Sequence, residues 1–230
     1  MNQEQAITDE RNQPSIIAIM TTEHYNLQSG RAMTISDSTG RSSLFLSTVS
    51  ITLVALAFVG QFSQLGTAFY LFALVLLPSL FFIGFVTFER VLQSAIEDFI
   101  LARGINRLRH FYVELAPAIQ DYFILSTHDD EQSAFLNMGL RRSPWQVFLT
   151  TPGMIAFIDS VLAGAFAGLL VSYLFTLAPL YGVAIGFGVF LVALVLLMRQ
   201  CSSRWNAAQR SVKTLFPSAG PVEEAQTPRS

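Results

Sequence analysis

The chain has 230 residues, of which 52% are hydrophobic and only 13% are charged, against about 25% charged in an ordinary water-soluble domain. A net charge of −2 gives no electrostatic case for nucleic acid as a partner. The single cysteine, Cys201, excludes an intramolecular disulfide and any multi-cysteine metal centre.

The apolar residues come in blocks, which is the pattern of a polytopic membrane protein. The expected fold class is all-α, with four transmembrane helices in two hairpins and a small helical cytoplasmic module. Residues 1–14 are polar, without an apolar period, and read as a disordered lead. No cleavable signal is expected, because the run 16–20 is too short to serve as its apolar region. In the segment 15–43, Ile16, Ile17, Met20, His24, Leu27 and Arg31 fall at mixed helical spacings. That helix has a thin apolar face and must pack on something. Its hydroxyl-rich end, 36–43, reads as a break or as the polar entry to the first span.

The first span, 44–60, barely reaches the roughly 20 residues a bilayer requires. A short uncharged turn, 61–66, leads to the second span, 67–88, where Pro78 is expected to kink the helix. Together these form the first hairpin, 44–88. An amphipathic insert, 89–151, comes next. Leu92, Ile96, Phe99, Ile105, Leu108, Tyr112 and Leu115 recur in it at helical steps. Ala116 and Pro117 should stop or kink it, and a short helix is expected over 117–125. Thr127 reads as the N-cap of another helix, 129–138, closed by Gly139. His128, Asp129, Asp130 and Glu131 are oxygen-rich, but consecutive helical positions point apart, so the acids read as dipole complements. Arg141, Arg142 and Trp145 read as an interface anchor, with Ser143 and Pro144 as N-cap and first helical residue. The second hairpin is 152–198, a third span over 152–177 and a fourth over 180–198, turning at 178–179. A basic juxtamembrane helix and a disordered tail complete the chain over 199–230.

All fourteen Lys and Arg lie outside the two short turns. The positive-inside rule then puts both termini and the insert in the cytoplasm.

Two features of the spans invite a role. Ala156, Ser160, Gly164, Gly168, Ser172 and Thr176 put a small residue at every fourth position, and Gly182 and Gly186 repeat the spacing on the fourth span. Such a ridge allows close helix crossing, either within the hairpin or between copies in a homo-oligomer. Asp159 is the one charge inside any apolar segment. Arg41, Arg90 and Arg199 mark the cytoplasmic ends of the other spans and are long enough to reach it by snorkelling. A structural charge pair, or an acid close enough to the interface to stay wet, is the first expectation; a proton- or ion-responsive site in a pore or carrier is the other. Nucleophile-elbow, zinc-protease, P-loop and dinucleotide-binding motifs are all missing. The chain therefore reads as a non-enzyme, with no catalytic, cofactor-binding or metal residues and no cofactor.

The stretches EHYNLQSGRAMTISDSTGRSSLF (Glu23 to Phe45) and FERVLQSAIEDFILARGINRLRHFY (Phe88 to Tyr112), with the span after Pro152, resemble a group of small bacterial four-span integral membrane proteins. The resemblance covers most of residues 20–205. It implies a bacterial inner-membrane location and brings no activity and no functional residue. The function expected is that of a membrane-anchored interaction or signalling component, with the lipid bilayer and a cytoplasmic protein as partners. The alternative is an oligomeric ion channel, pore or membrane-perturbing effector gated by its cytoplasmic helices.

Overall fold

The computed structural model describes residues 3–140, 146–175 and 179–218, with side chains from residue 14 onward. The expected anchor at Arg141, Arg142 and Trp145, Thr176 at the end of the ridge, the start of the turn at 178–179 and the tail beyond 218 lie outside the described residues.

Among the described residues there are six α-helices: α1 (Gln3–Phe62), α2 (Thr67–Leu115), α3 (Glu131–Asn137), α4 (Gln146–Leu149), α5 (Thr151–Phe175) and α6 (Pro179–Ser211). A 3₁₀ turn, Pro117–Tyr122, takes the place of the short helix expected over 117–125. No strand occurs among the described residues. Four of the helices, α1, α2, α5 and α6, are long and apolar enough to cross a bilayer.

The helices are longer than the expected segments. The lead from Gln3 belongs to α1, and no break occurs at 36–43. The polar groups there are satisfied along the helix itself. Ser42 Oγ donates to the Ser38 carbonyl at 2.7 Å, and Arg41 pairs with Asp37 one turn earlier at 2.8 Å. Further along, Thr48, Ser50 and Thr52 each donate to the carbonyl four residues back, so these three hydroxyls are answered within the helix. Likewise α2 continues through Pro78 to Leu115, and the basic segment after residue 198 is the continuation of α6.

The α1–α2 turn holds Gln64 (φ 51°) and Leu65 (φ 58°) in the left-handed region, which costs an L-residue about 1–2 kcal/mol. Gln64→Gly is expected to remove that strain, partly offset by the greater conformational entropy glycine gives the unfolded chain. The net gain is under about 1 kcal/mol, measurable as a small rise in the thermal midpoint.

The chain divides into two compact units. One comprises Met33–Glu97 and Ser143–Arg210. Its core is apolar and drawn from all four long helices: Phe45 and Val49 on α1, Leu77, Leu80 and Phe88 on α2, Ile155 and Leu162 on α5, Leu197 on α6. Its outer surface is apolar too, with Phe58, Val75, Phe82, Leu174, Val183 and Phe187 exposed. A surface of this kind is expected against lipid and unfavourable against water.

The other unit takes its residues from Met1–Ala32, Asp98–Arg142 and Ser211–Ser230, and much of its interior is polar. Asp98, Arg103, Asn106, Asp129 and Ser133 are all buried. Arg31 binds Asp98 at 2.7 Å, and the Tyr112 hydroxyl donates to the Met20 carbonyl at 3.1 Å. The N-cap of α3 is Asp130, whose carboxylate accepts from the Ser133 amide at 2.9 Å, and not Thr127. The Asp130 carboxylate takes the third amide of the helix, as an N-cap does, and so the helix starts at Glu131. Gly139, at φ 70°, ends the turn after α3.

Candidate functional site

Asp159 lies on the face of α5 that also carries Ile155, Ala156 and Ser160, and like them it is 0% exposed. Gly84 of α2 makes the room. A Cβ added at Gly84 would overlap the Asp159 carboxylate and lie 2.9 Å from the tip of the Phe45 ring. Only glycine at position 84 lets the acid into the core of this unit. Neither carboxylate oxygen has a hydrogen-bond partner among the described residues. Ser160 beside it gives its hydroxyl proton to the Ala156 carbonyl at 2.7 Å and so is already satisfied.

The expected charge pair is not formed. Arg41 is held by Asp37, and Arg90 donates to Gln93 at 3.1 Å. Arg199 lies along an open groove lined by Phe148 and Met198. Snorkelling length alone suggested the pair. The three guanidinium groups sit outside the core, while α5 aims Asp159 into it. The nearest acid–base cluster on α6 uses different residues: Glu89 accepts from Gln200 and, at 3.3 Å, from Arg204.

A lone buried carboxyl carries a desolvation cost with nothing to offset it. Asp159→Asn keeps the shape and removes the charge. It is expected to leave the fold intact and raise the thermal midpoint in detergent. A large fall would mean that the carboxylate has a partner.

The small-residue ridge is engaged within the chain. A Cβ on Gly164 would stand 2.6 Å from the Gly186 carbonyl oxygen, and one on Gly168 2.8 Å from that of Gly182. Ser172 Oγ rests over the Gly182 backbone. Ala156 and Ser160 face the core. Along this ridge α5 and α6 therefore approach backbone to backbone, as small residues allow. Gly164, Gly168 and Ser172 are thus engaged against α6.

Sequence reasoning missed the polar centre of the other unit. Asp129 is fully buried and gathers partners far along the chain. Its carboxylate accepts from the amides of Leu215 (3.1 Å) and Phe216 (2.8 Å) and from Arg107 Nε (2.7 Å). Its own amide donates to the Phe216 carbonyl at 3.1 Å, and its carbonyl accepts from Arg103 Nε at 2.6 Å. Arg103 also donates to the Val212 carbonyl and to Thr214 Oγ1, and Arg107 donates to the Lys213 carbonyl. The His110 ring stacks on Phe216 at 3.9 Å, and Ser218 donates its amide to Asp130 at 2.9 Å. Two arginines one helical turn apart on α2 and two consecutive acids thus clasp residues 212–218. One available signal was the pair Arg103 and Arg107 at i, i+4 within an amphipathic helix.

Burial pushes the Asp129 carboxyl up, but the Phe216 amide, Arg107 and the Leu215 amide together hold it below the usual carboxylate range. Burial likewise raises Asp130, and the amides of Ser133 and Ser218 outweigh it, bringing it down to about 2. A depressed carboxyl stabilises the fold fully above its unfolded value of 3.8 and ceases to do so as pH falls through the folded value. Exchange protection of the Phe216 and Ser218 amides, corrected for intrinsic rates, is therefore expected to hold from neutral pH to just above 3.8 and to decay from there towards pH 2.

No family model, curated protein or solved structure matches this chain.

Among the described residues no group of three or more His, Cys, Asp or Glu side chains is placed to hold a metal ion. The two polar features the described residues bring together are a glycine-seated acid in an apolar core and a clasp on residues 212–218.

Proposed function

We propose that the chain is a multi-pass protein of the bacterial inner membrane, with both termini cytoplasmic. Its work is to hold a partner protein at the membrane surface as a non-enzymatic interaction or signalling component. One observation carries the reading. Beside the clasped polar centre, the unit built from Met1–Ala32, Asp98–Arg142 and Ser211–Ser230 presents Tyr122 at 83%, Ile124 at 99% and Leu136 at 66% exposure. Large apolar side chains displayed on an ordered polar scaffold are the usual make-up of a protein-binding surface. Self-association is not required. A photo-crosslinking residue at position 124, introduced into cells, should give one discrete adduct. That adduct should be lost when Tyr122 and Leu136 are changed to serine. A smear of adducts, or one indifferent to those changes, would overturn the reading.

Asp159 favours the second reading, an oligomeric ion channel, pore or membrane-perturbing effector. An unpaired acid buried among spans is the kind of group that ion and proton pathways use. Against this, the core around it is filled by Phe45, Phe88 and Ile155, which leaves the acid in apolar surroundings and not in a polar file.

A further inference from the structure

One face of α6 changes character from one turn to the next. Leu194, Val195 and Met198, with Phe148 of α4, line the apolar end of a groove of about 750 Å³. At the following helical steps the lining becomes Arg199, Ser203, Asn206 and Arg210. No carboxylate lines it. The neighbouring Arg204 is occupied by Glu89; Arg199 and Arg210 form no ion pair among the described residues. An apolar floor that gives way to two unneutralised guanidinium groups and three neutral hydrogen-bonding side chains, Ser202, Ser203 and Asn206, matches one ligand chemistry, an acyl chain joined to a phosphodiester.

We infer that this groove binds an anionic phospholipid. The acyl chain lies along Leu194, Val195 and Met198 against Phe148. Arg199 and Ser203 take the phosphodiester, where a guanidinium forks two donors onto two oxygens. Asn206 and Arg210 lie one to three turns further out, at the depth of an extended headgroup. Basic pockets of this kind at the ends of spanning helices suit acidic headgroups. The volume falls within the range of ordinary ligand sites, about 300–1,000 Å³. The inference rests on the reading that α6 crosses a bilayer and leaves it near Arg199.

The test uses the full chain, delipidated in detergent, with thermal unfolding monitored as phosphatidylglycerol, phosphatidylcholine or inorganic phosphate is added. Phosphatidylglycerol should raise the midpoint saturably, and phosphatidylcholine should not. The double change Arg199→Gln with Arg210→Gln should weaken half-saturation at least tenfold. Val195→Trp, which fills the groove and keeps both arginines, should do the same. Arg90→Gln, at an exposed arginine elsewhere, should change nothing. Equal shifts from both lipids, a double variant that still responds, or an equal shift from inorganic phosphate alone would each overturn the inference. Reconstitution into phosphatidylcholine nanodiscs separates the two readings. A chain that fails to incorporate defeats the membrane reading; one that incorporates without preferring the anionic lipid defeats only the groove.

Discussion

Asp129→Ala is expected to release residues 212–218 and to cost about 3–5 kcal/mol, the range for breaking a buried charge cluster by removing one partner. The loss is large because it strands several groups together. Arg107 loses its carboxylate, and the amides of Leu215 and Phe216 lose their acceptor. Arg103 remains buried with one fewer opposite charge nearby, having stood 3.9 Å from the Asp129 carboxylate. Asp129→Asn should fall between wild type and alanine, since an amide oxygen still accepts from one backbone amide while its NH₂ opposes Arg107. Amide exchange at Leu215 and Phe216, read beside chemical unfolding, checks both. Unchanged protection in the alanine variant would mean that the arginines alone hold the segment.

Gly164→Leu is the second large effect. The added side chain meets the Gly186 carbonyl oxygen and the Phe190 backbone amide, neither of which yields as a flexible side-chain tip would. The helices must separate, and overpacking of this kind costs about 1–3 kcal/mol, sometimes more. The same change at Gly188, where a Cβ meets nothing within 4 Å, should stay within about 0.5 kcal/mol. The contrast between two glycines of one hairpin isolates helix contact from any general effect of adding leucine. A convenient readout is thermal unfolding of the full chain in detergent. Gly164→Leu should lower the midpoint, and Gly188→Leu should leave it nearly unchanged.

The four spans were legible in the sequence because burial in lipid demands unbroken apolar blocks, and little else produces a run such as 67–88. The lengths of the helices were not. Residues 36–43 look like a break by propensity, but Ser42 and Arg41 find partners four residues back on the same helix, and local propensity gives way to that. Glycines 164, 168, 182 and 186 were readable as a packing surface, since spacing alone puts them on one face. Asp159 was readable as an oddity, but its direction was not. Which side of α5 faces inward depends on Gly84, 75 positions away in a different helix, and no local pattern links the two. Asp129 was hidden for the same reason. Its partners at 215 and 216 are separated from it by 86 and 87 residues, and a His-Asp-Asp-Glu run beside a helix has an adequate local explanation in capping. Asp130 does cap the helix; the acid one position earlier makes the long-range contacts.

On the proposed reading the protein acts by contact and does not conduct. Ion and proton flux from sealed proteoliposomes containing the full chain tests this, with incorporation and a monodisperse state verified first. Leak rates are expected to equal those of protein-free vesicles, for wild type and Asp159→Asn alike. Flux that scales with protein content and changes with Asp159→Asn would contradict it.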